Sequence, residues 1–170
     1  MAVYTKISKK DVNNLFKNYN LGKVVKFFGI KEGIENTNYL IYTDKNKFIL
    51  TIYEKRVEIK DLPFFIGLMT NLHNSDFKCP KPIINKNGNY ISEISGKKAA
   101  VISFIEGKAK KILSPENCYD VGIATAKLHK ITKNIFMKRR NNLSLESWPK
   151  LFGKVEENCS KIHKNLPKII

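Results

Sequence analysis

Apolar and polar positions along the N-terminal two-thirds of the chain change their period several times, and each change marks an element. After Ser8, the residues Val12, Leu15, Phe16 and Tyr19 recur at helical spacing. They predict a helix over Lys9 to Tyr19, capped by Ser8 and closed by Leu21-Gly22 with glycine in the left-handed position. A Val- and Phe-rich strand follows, Lys23 to Ile30. The polar segment Lys31-Glu32-Gly33-Ile34-Glu35-Asn36 then turns the chain into a second strand, Thr37 to Tyr42. Asp44-Lys45-Asn46 reads as a tight turn before a third strand, Phe48 to Tyr53.

The period then becomes helical over Ile59 to Leu72. Pro63 falls in the first turn, and Phe65, Leu68, Met69 and Leu72 form a core-packing stripe. Cys79-Pro80-Lys81-Pro82 is an extended connection to a strand around Ile83-Ile84. Asn87-Gly88 and Ser95-Gly96 are turns flanking a strand from Tyr90 to Ile94, and the strongest strand runs from Ala99 to Ile105. Ser114 caps a helix with Pro115 at its first position, and Cys118, Val121, Thr125 and Leu128 repeat along it to about Ile131. After an Asn-rich loop, Trp148-Pro149 opens a last helix with Leu151, Phe152, Val155, Cys159 and Ile162 on one face. Antiparallel strands with one inserted helix, then helices, make an α+β pattern.

Composition narrows the classes. A hydrophobic fraction of 42% supports a buried core, and no run is long enough to cross a membrane as a helix. The N-terminus has no apolar region of a secretory signal. Cys79, Cys118 and Cys159 form neither a CxxC pair nor a His/Cys cluster. A cytoplasmic protein with free thiols is expected, with no metal site of its own. The net charge of +16 admits a nucleic-acid partner. Its lysines are spread thinly among Asn and Ile, however, and the longest basic run is only Lys138-Arg139-Arg140, so no nucleic-acid partner is expected.

Two segments could carry chemistry. The turn from Gly29 to Asn38 combines glycine, which lets backbone N–H groups approach a phosphate, with Asn and Thr donors. It lacks the GK[ST] of a P-loop, and a plain hairpin has the same form. The second is Val101-Ile102-Ser103-Phe104-Ile105-Glu106-Gly107, a strand running into a short polar connection and a capped helix. Such a strand end can offer C=O and N–H groups to the edge of a base, or simply terminate a sheet. His73, His129 and His163 all fall on predicted helices and assemble with no nucleophile.

The order of elements and several strings together resemble the homoserine kinases of the aminoglycoside phosphotransferase/choline kinase-like superfamily, of the alphaproteobacterial type. The strings are Gly33 to Tyr39, Phe48 to Arg56, Asp61 to Phe65, Cys79 to Pro82, Phe104 to Gly107 and Gly122 to His129. The resemblance implies a protein-kinase-like fold, with a nucleotide-binding N-lobe over 1–106 and a hinge and incomplete helical C-lobe over 107–170. It implies ATP and Mg2+ as cofactors and L-homoserine as the phosphoryl acceptor. Gly33, Glu35, Asn36, Thr37 and Asn38 would cover the phosphates, and the Ser103 carbonyl and Ile105 N–H would meet adenine. The alternatives are another small-molecule kinase of that superfamily, acting on choline or an aminoglycoside, and a non-enzymatic basic module for nucleic acid.

The sequence departs from the kinase pattern at three places. Thr51 stands where the third strand usually carries a phosphate-contacting cation, with Lys55 and Arg56 as substitutes near the strand end. Pro63-Phe64-Phe65-Ile66 stands where a helical Glu usually holds that cation. The family's HxD-type loop and its metal ligands would follow a segment like Asn165 to Ile170. No catalytic or metal-binding residue is therefore assigned within the chain, and the 170-residue product is expected to lack kinase activity alone.

Overall fold

A computed structural model describes residues 3–55 and 57–166. They divide into two compact units, one running to Met137 and one beginning at Lys138.

The first unit opens with helix α1 (Lys9–Phe16). Ser8 Oγ accepts from the Asp11 N–H, and the Asp11 carboxylate accepts from the Ser8 N–H at 2.8 Å, a reciprocal cap that fixes the first turn. The helix stops short of the expected Tyr19. Bonds from Asn18 N–H to Leu15 O and from Tyr19 N–H to Phe16 O tighten its end, yet Tyr19 still reaches the core. Gly22, at φ +88°, is therefore not the helix cap. It bends the chain toward β1, where a Cβ would come within 2.0 Å of Asp44 Oδ1.

Strands β1 (Val24–Ile30), β2 (Thr37–Thr43), β3 (Lys47–Ile52), β4 (Ile91–Ile94) and β5 (Lys97–Ser103) form one antiparallel sheet in the order β1-β2-β3-β5-β4. Period-two alternation divides its faces. One face carries Tyr39, Ile41, Phe48, Leu50, Ile52, Ala99 and Val101, all buried in one cluster with Val12, Leu15 and Phe16 of α1. Burial of each large side chain there stabilises the unit by about 1.5–3 kcal/mol. The strand expected around Ile83-Ile84 is absent. Pro82 forms one isolated bridge with Ile102, and Ile83 N–H bonds to Val101 O; proline has no N–H with which to extend the ladder. β5 also ends two residues before the expected Ile105, which leaves Phe104 to Glu106 outside the sheet.

Helix α2 (Leu62–Asn74) follows a short 3₁₀ turn and buries Leu62, Ile66 and Leu72. Gly67 lies close to Met137, whose sulfur would be 2.7 Å from an added Cβ. Helix α3 (Pro115–Thr132) is capped by Ser114 and Asn117 as its sequence requires, but buries no residue.

In the second unit the expected single last helix is broken into α4 (Trp148–Gly153) and α5 (Glu156–Cys159). Gly153 and the β-branched Val155, at φ −122°, carry low helix propensity at the break. Trp148 Nε1 donates to Leu143 O at 3.1 Å. Among the described residues no helix is long and apolar enough to cross a membrane.

Candidate functional site

The sheet face opposite α1 holds the candidate site. The register sets Phe28, Leu40, Ile49 and Ile102 directly opposite one another on β1, β2, β3 and β5. Residues paired in this way share one face. Leu40, Ile49 and Ile102 are half-buried and Phe28 is 55% exposed, so the row offers a flat apolar surface to a planar group.

At one end of this row lies the strand exit. Ser103 is anchored: its N–H bonds to Lys81 O, and its hydroxyl accepts from Lys81 N–H, both at 2.8 Å. Ile105 N–H has no partner among the described residues. Beside it, Lys47 Nζ meets Glu106 at 2.5 Å and stands 5.4 Å from the Phe104 ring centroid. The Glu106 hydrogen bond raises the Lys47 pKa, against a smaller opposing effect of desolvation. Residues Tyr42 to Lys47, Phe104 and Glu106 line a cleft of about 380 Å3 here.

Further along β1 and β2, beyond Ile30 and Asn38, is the turn between them. Gly33 has φ +113°, and among the described residues no backbone N–H from Lys31 to Asn36 makes a hydrogen bond. Gly33 and Glu35 are exposed and Asn36 is half-buried. A glycine turn with free amides is a concavity suited to an anion. From the Phe48–Ser103 pair to the Thr37–Ile52 pair, β3 advances four residues, or roughly 13 Å along the strands.

The structure separates the predicted residues by position. Gly33, Glu35 and Asn36 lie in the turn, and Ser103 and Ile105 lie at the strand exit. Thr37 is fully buried on the α1 side. Its hydroxyl accepts from Tyr4 N–H and Thr5 N–H at 3.0 and 3.1 Å and donates to Glu54 at 2.7 Å. Asn38 lies on the open face, where its Oδ1 accepts from Thr51 at 2.8 Å. Thr51 thus pairs with Asn38 at the place where the third strand of kinases usually carries a cation. Within α2 there is no Glu. A Lys–Glu pair does exist between Lys97 and Glu54, on the α1 side of the sheet. Lys55 is exposed, and Arg56 lies outside the described residues.

Sequence reasoning missed the Leu40–Ile49–Ile102 row. The alternation of β2, with Tyr39 and Ile41 inward, was the available signal. It also missed Lys47 and the Thr5–Thr37–Glu54–Lys97 network, whose members are scattered along the chain. Among the described residues no group of three or more His, Cys, Asp or Glu could hold a metal ion.

A concavity larger than this cleft lies elsewhere. About 1280 Å3 in volume, it runs along α1 and is lined by Lys9, Lys10, Lys17, Lys23, Lys45 and Lys86 with no acidic residue. It has neither the apolar row nor the glycine turn.

Comparisons with known proteins bear on the fold and the family. The chain is 42% identical over 166 residues to a homoserine kinase of Agrobacterium fabrum, covering 98% of this chain and 52% of that protein. It is 39% identical to one of Methylobacterium radiotolerans, with the same coverage. The chain therefore spans about half the length of the curated relatives it matches. Among solved structures, a spectinomycin phosphotransferase in complex with ADP and spectinomycin matches with a TM-score of 0.60 at 12% identity, over 98% of this chain and 60% of that one. A microcompartment-associated aminopropanol kinase matches at 0.62 and 12%, over 96% and 58%. This likeness shows a protein-kinase-like α+β fold with part of its helical lobe. The family model described as "Phosphotransferase enzyme family" matches residues 27–163, and the chain belongs to that family.

Proposed function

We propose that this chain is the nucleotide-binding part of an ATP-dependent kinase acting on the side-chain hydroxyl of L-homoserine. The observation that carries the nucleotide reading is the apolar row Leu40–Ile49–Ile102, bracketed by the unpaired Ile105 N–H and the unpaired amides of the Lys31–Asn36 turn. Adenine lies on the row, with its edge toward the Ser103 carbonyl and Ile105 N–H. The amides of Gly33, Glu35 and Asn36 cover the phosphates, and Asn38 faces the nucleotide from β2. The side chain of Thr37 holds the turn in place rather than touching phosphate. The nucleotide lobe ends at Glu106, and Gly107 begins the connection to the helical lobe. Phosphoryl transfer also needs a base and a metal to orient the acceptor and neutralise charge, and this reading assigns neither role to a described residue.

The acceptor is drawn from the homoserine kinase relatives. Phe16 and Tyr19, the aromatic residues lining the basic concavity along α1, are buried in the core rather than presented for base stacking, and nucleic acid has no part in this reading. The test is an assay of ADP production by the full reading frame of the gene, with L-homoserine, choline and an aminoglycoside as acceptors. Homoserine-dependent turnover supports the assignment; turnover with choline or the aminoglycoside alone moves the acceptor, and none with any of the three overturns the kinase reading.

A further inference from the structure

The N-terminal segment Val3–Thr5 crosses the α1 side of the sheet and binds the β1–β2 turn from behind. Tyr4 Oη donates to Ile34 O, inside the turn, at 2.8 Å. Tyr4 N–H and Thr5 N–H both donate to Thr37 Oγ1, the first residue after the turn. Thr5 O accepts from Tyr39 Oη at 2.9 Å. The Val3 side chain lies over Gly29 on the other leg, where a Cβ would come within 2.8 Å of it. Both legs and the tip of the turn are thus held by three consecutive residues.

That segment is itself locked by a buried polar network. Glu54 Oε1 accepts from the Thr5 hydroxyl at 2.6 Å and from the Thr37 hydroxyl at 2.7 Å. Lys97 Nζ donates to Thr5 Oγ1 at 2.7 Å and pairs with the second Glu54 oxygen. The Glu54 N–H reaches the Asn36 side chain at 3.5 Å. Thr5 and Thr37 are buried and Glu54 is 10% exposed, while Lys97 keeps its head partly in solvent. Among the described residues no buried side-chain polar atom lacks a partner. Such a fully satisfied network rigidifies what it touches. The turn needs that bracing, because its own amides form no hydrogen bonds with the described residues.

We infer that Val3–Thr5 is a strap that pre-orders the phosphate-covering turn, with Tyr4, Thr5 and Glu54 as positioning residues for the nucleotide. This rests on the nucleotide reading given above, but it has a readout that does not. A turn that samples its binding-competent form only a tenth of the time binds about tenfold more weakly. Loosening the strap should therefore weaken ADP binding without weakening the core.

The experiment measures 15N order parameters for the amides of residues 32–36, the ADP dissociation constant and the unfolding temperature. It compares the unaltered chain with Tyr4→Phe, Thr5→Ser and Thr5→Val. Tyr4 is 56% exposed, so Tyr4→Phe removes the bond to Ile34 O without touching the core. The expected result in the absence of nucleotide is a fall from about 0.85 to below about 0.6 in Tyr4→Phe and Thr5→Val. Thr5→Ser should retain the original values, and Tyr4→Phe should keep its unfolding temperature. ADP affinity falls about tenfold in the two loosened variants. Unchanged order parameters in a folded Tyr4→Phe chain overturn the strap. Loosened order parameters in a chain that never bound ADP leave the strap in place as a brace and overturn the nucleotide reading instead.

Discussion

Thr37 shows how a residue chosen for phosphate chemistry can serve from the opposite side of the sheet. Its hydroxyl satisfies two main-chain donors and completes the Glu54 carboxylate. Replacing it with valine keeps the shape and orphans those partners, at a cost of about 1–3 kcal/mol. Urea unfolding of Thr37→Val should show that loss, and a midpoint equal to the parent's would contradict the network. Glu54 gives a pH dependence with a definite sign. Burial pushes its carboxyl up, but hydrogen bonds from Lys97, Thr5 and Thr37 together hold it below the ordinary value. Its stabilising contribution is therefore complete above the unfolded-state pKa and fades as pH falls through that value toward the lower folded one. Asp11 and Glu116 are lowered too, each chiefly by a neighbouring serine hydroxyl. The share belonging to Glu54 is the part of the loss between pH 6 and pH 3 that Glu54→Gln removes. An acid-unfolding profile unaltered by that substitution would sink the assignment.

At the level of elements, most of the architecture was legible because local rules and tertiary packing agree. The Ser8 and Ser114 caps, the proline in the first turn of α2 and α3, and the three-stranded meander all formed where their residue types demand. The failures have physical reasons. Glycine marks both helix ends and turns into strands, and at Gly22 the φ of +88° and the 2.0 Å approach of Asp44 assign it to the latter. Gly22→Ala should cost at least about 1–2 kcal/mol from the left-handed backbone alone, measurable as a lowered unfolding midpoint. For α3 the periodic residues predict the helix correctly but not its burial: Tyr119, Val121 and Ile123 are 71%, 64% and 51% exposed. A helix that buries nothing draws little stability from packing. Its amides should exchange with solvent faster than those of β3, and equal protection in hydrogen exchange would show a covering contact that these residues do not make.

For the molecule as a whole, the family was legible from strings that lie at turns and strand ends, where backbone geometry and chemistry constrain the residue choice together. The site was legible only in outline. The Gly33–Asn38 turn and the Ser103–Ile105 exit follow from strand boundaries, whereas the row joining them depends on register across four strands, and the strap depends on contacts up to ninety-two residues apart. Distant partners leave no local periodicity to read. The central claim is that nucleotide lies on the face opposite α1, between that turn and that exit. Titration of isotope-labelled chain with ADP, followed by NMR, tests it most directly. Shifts are predicted in the amides of Gly33 to Asn38 and of Ile105, and in the methyl groups of Leu40, Ile49 and Ile102. No saturable shifts, or shifts confined to Lys9, Lys10, Lys17 and Lys23 along α1, would contradict it.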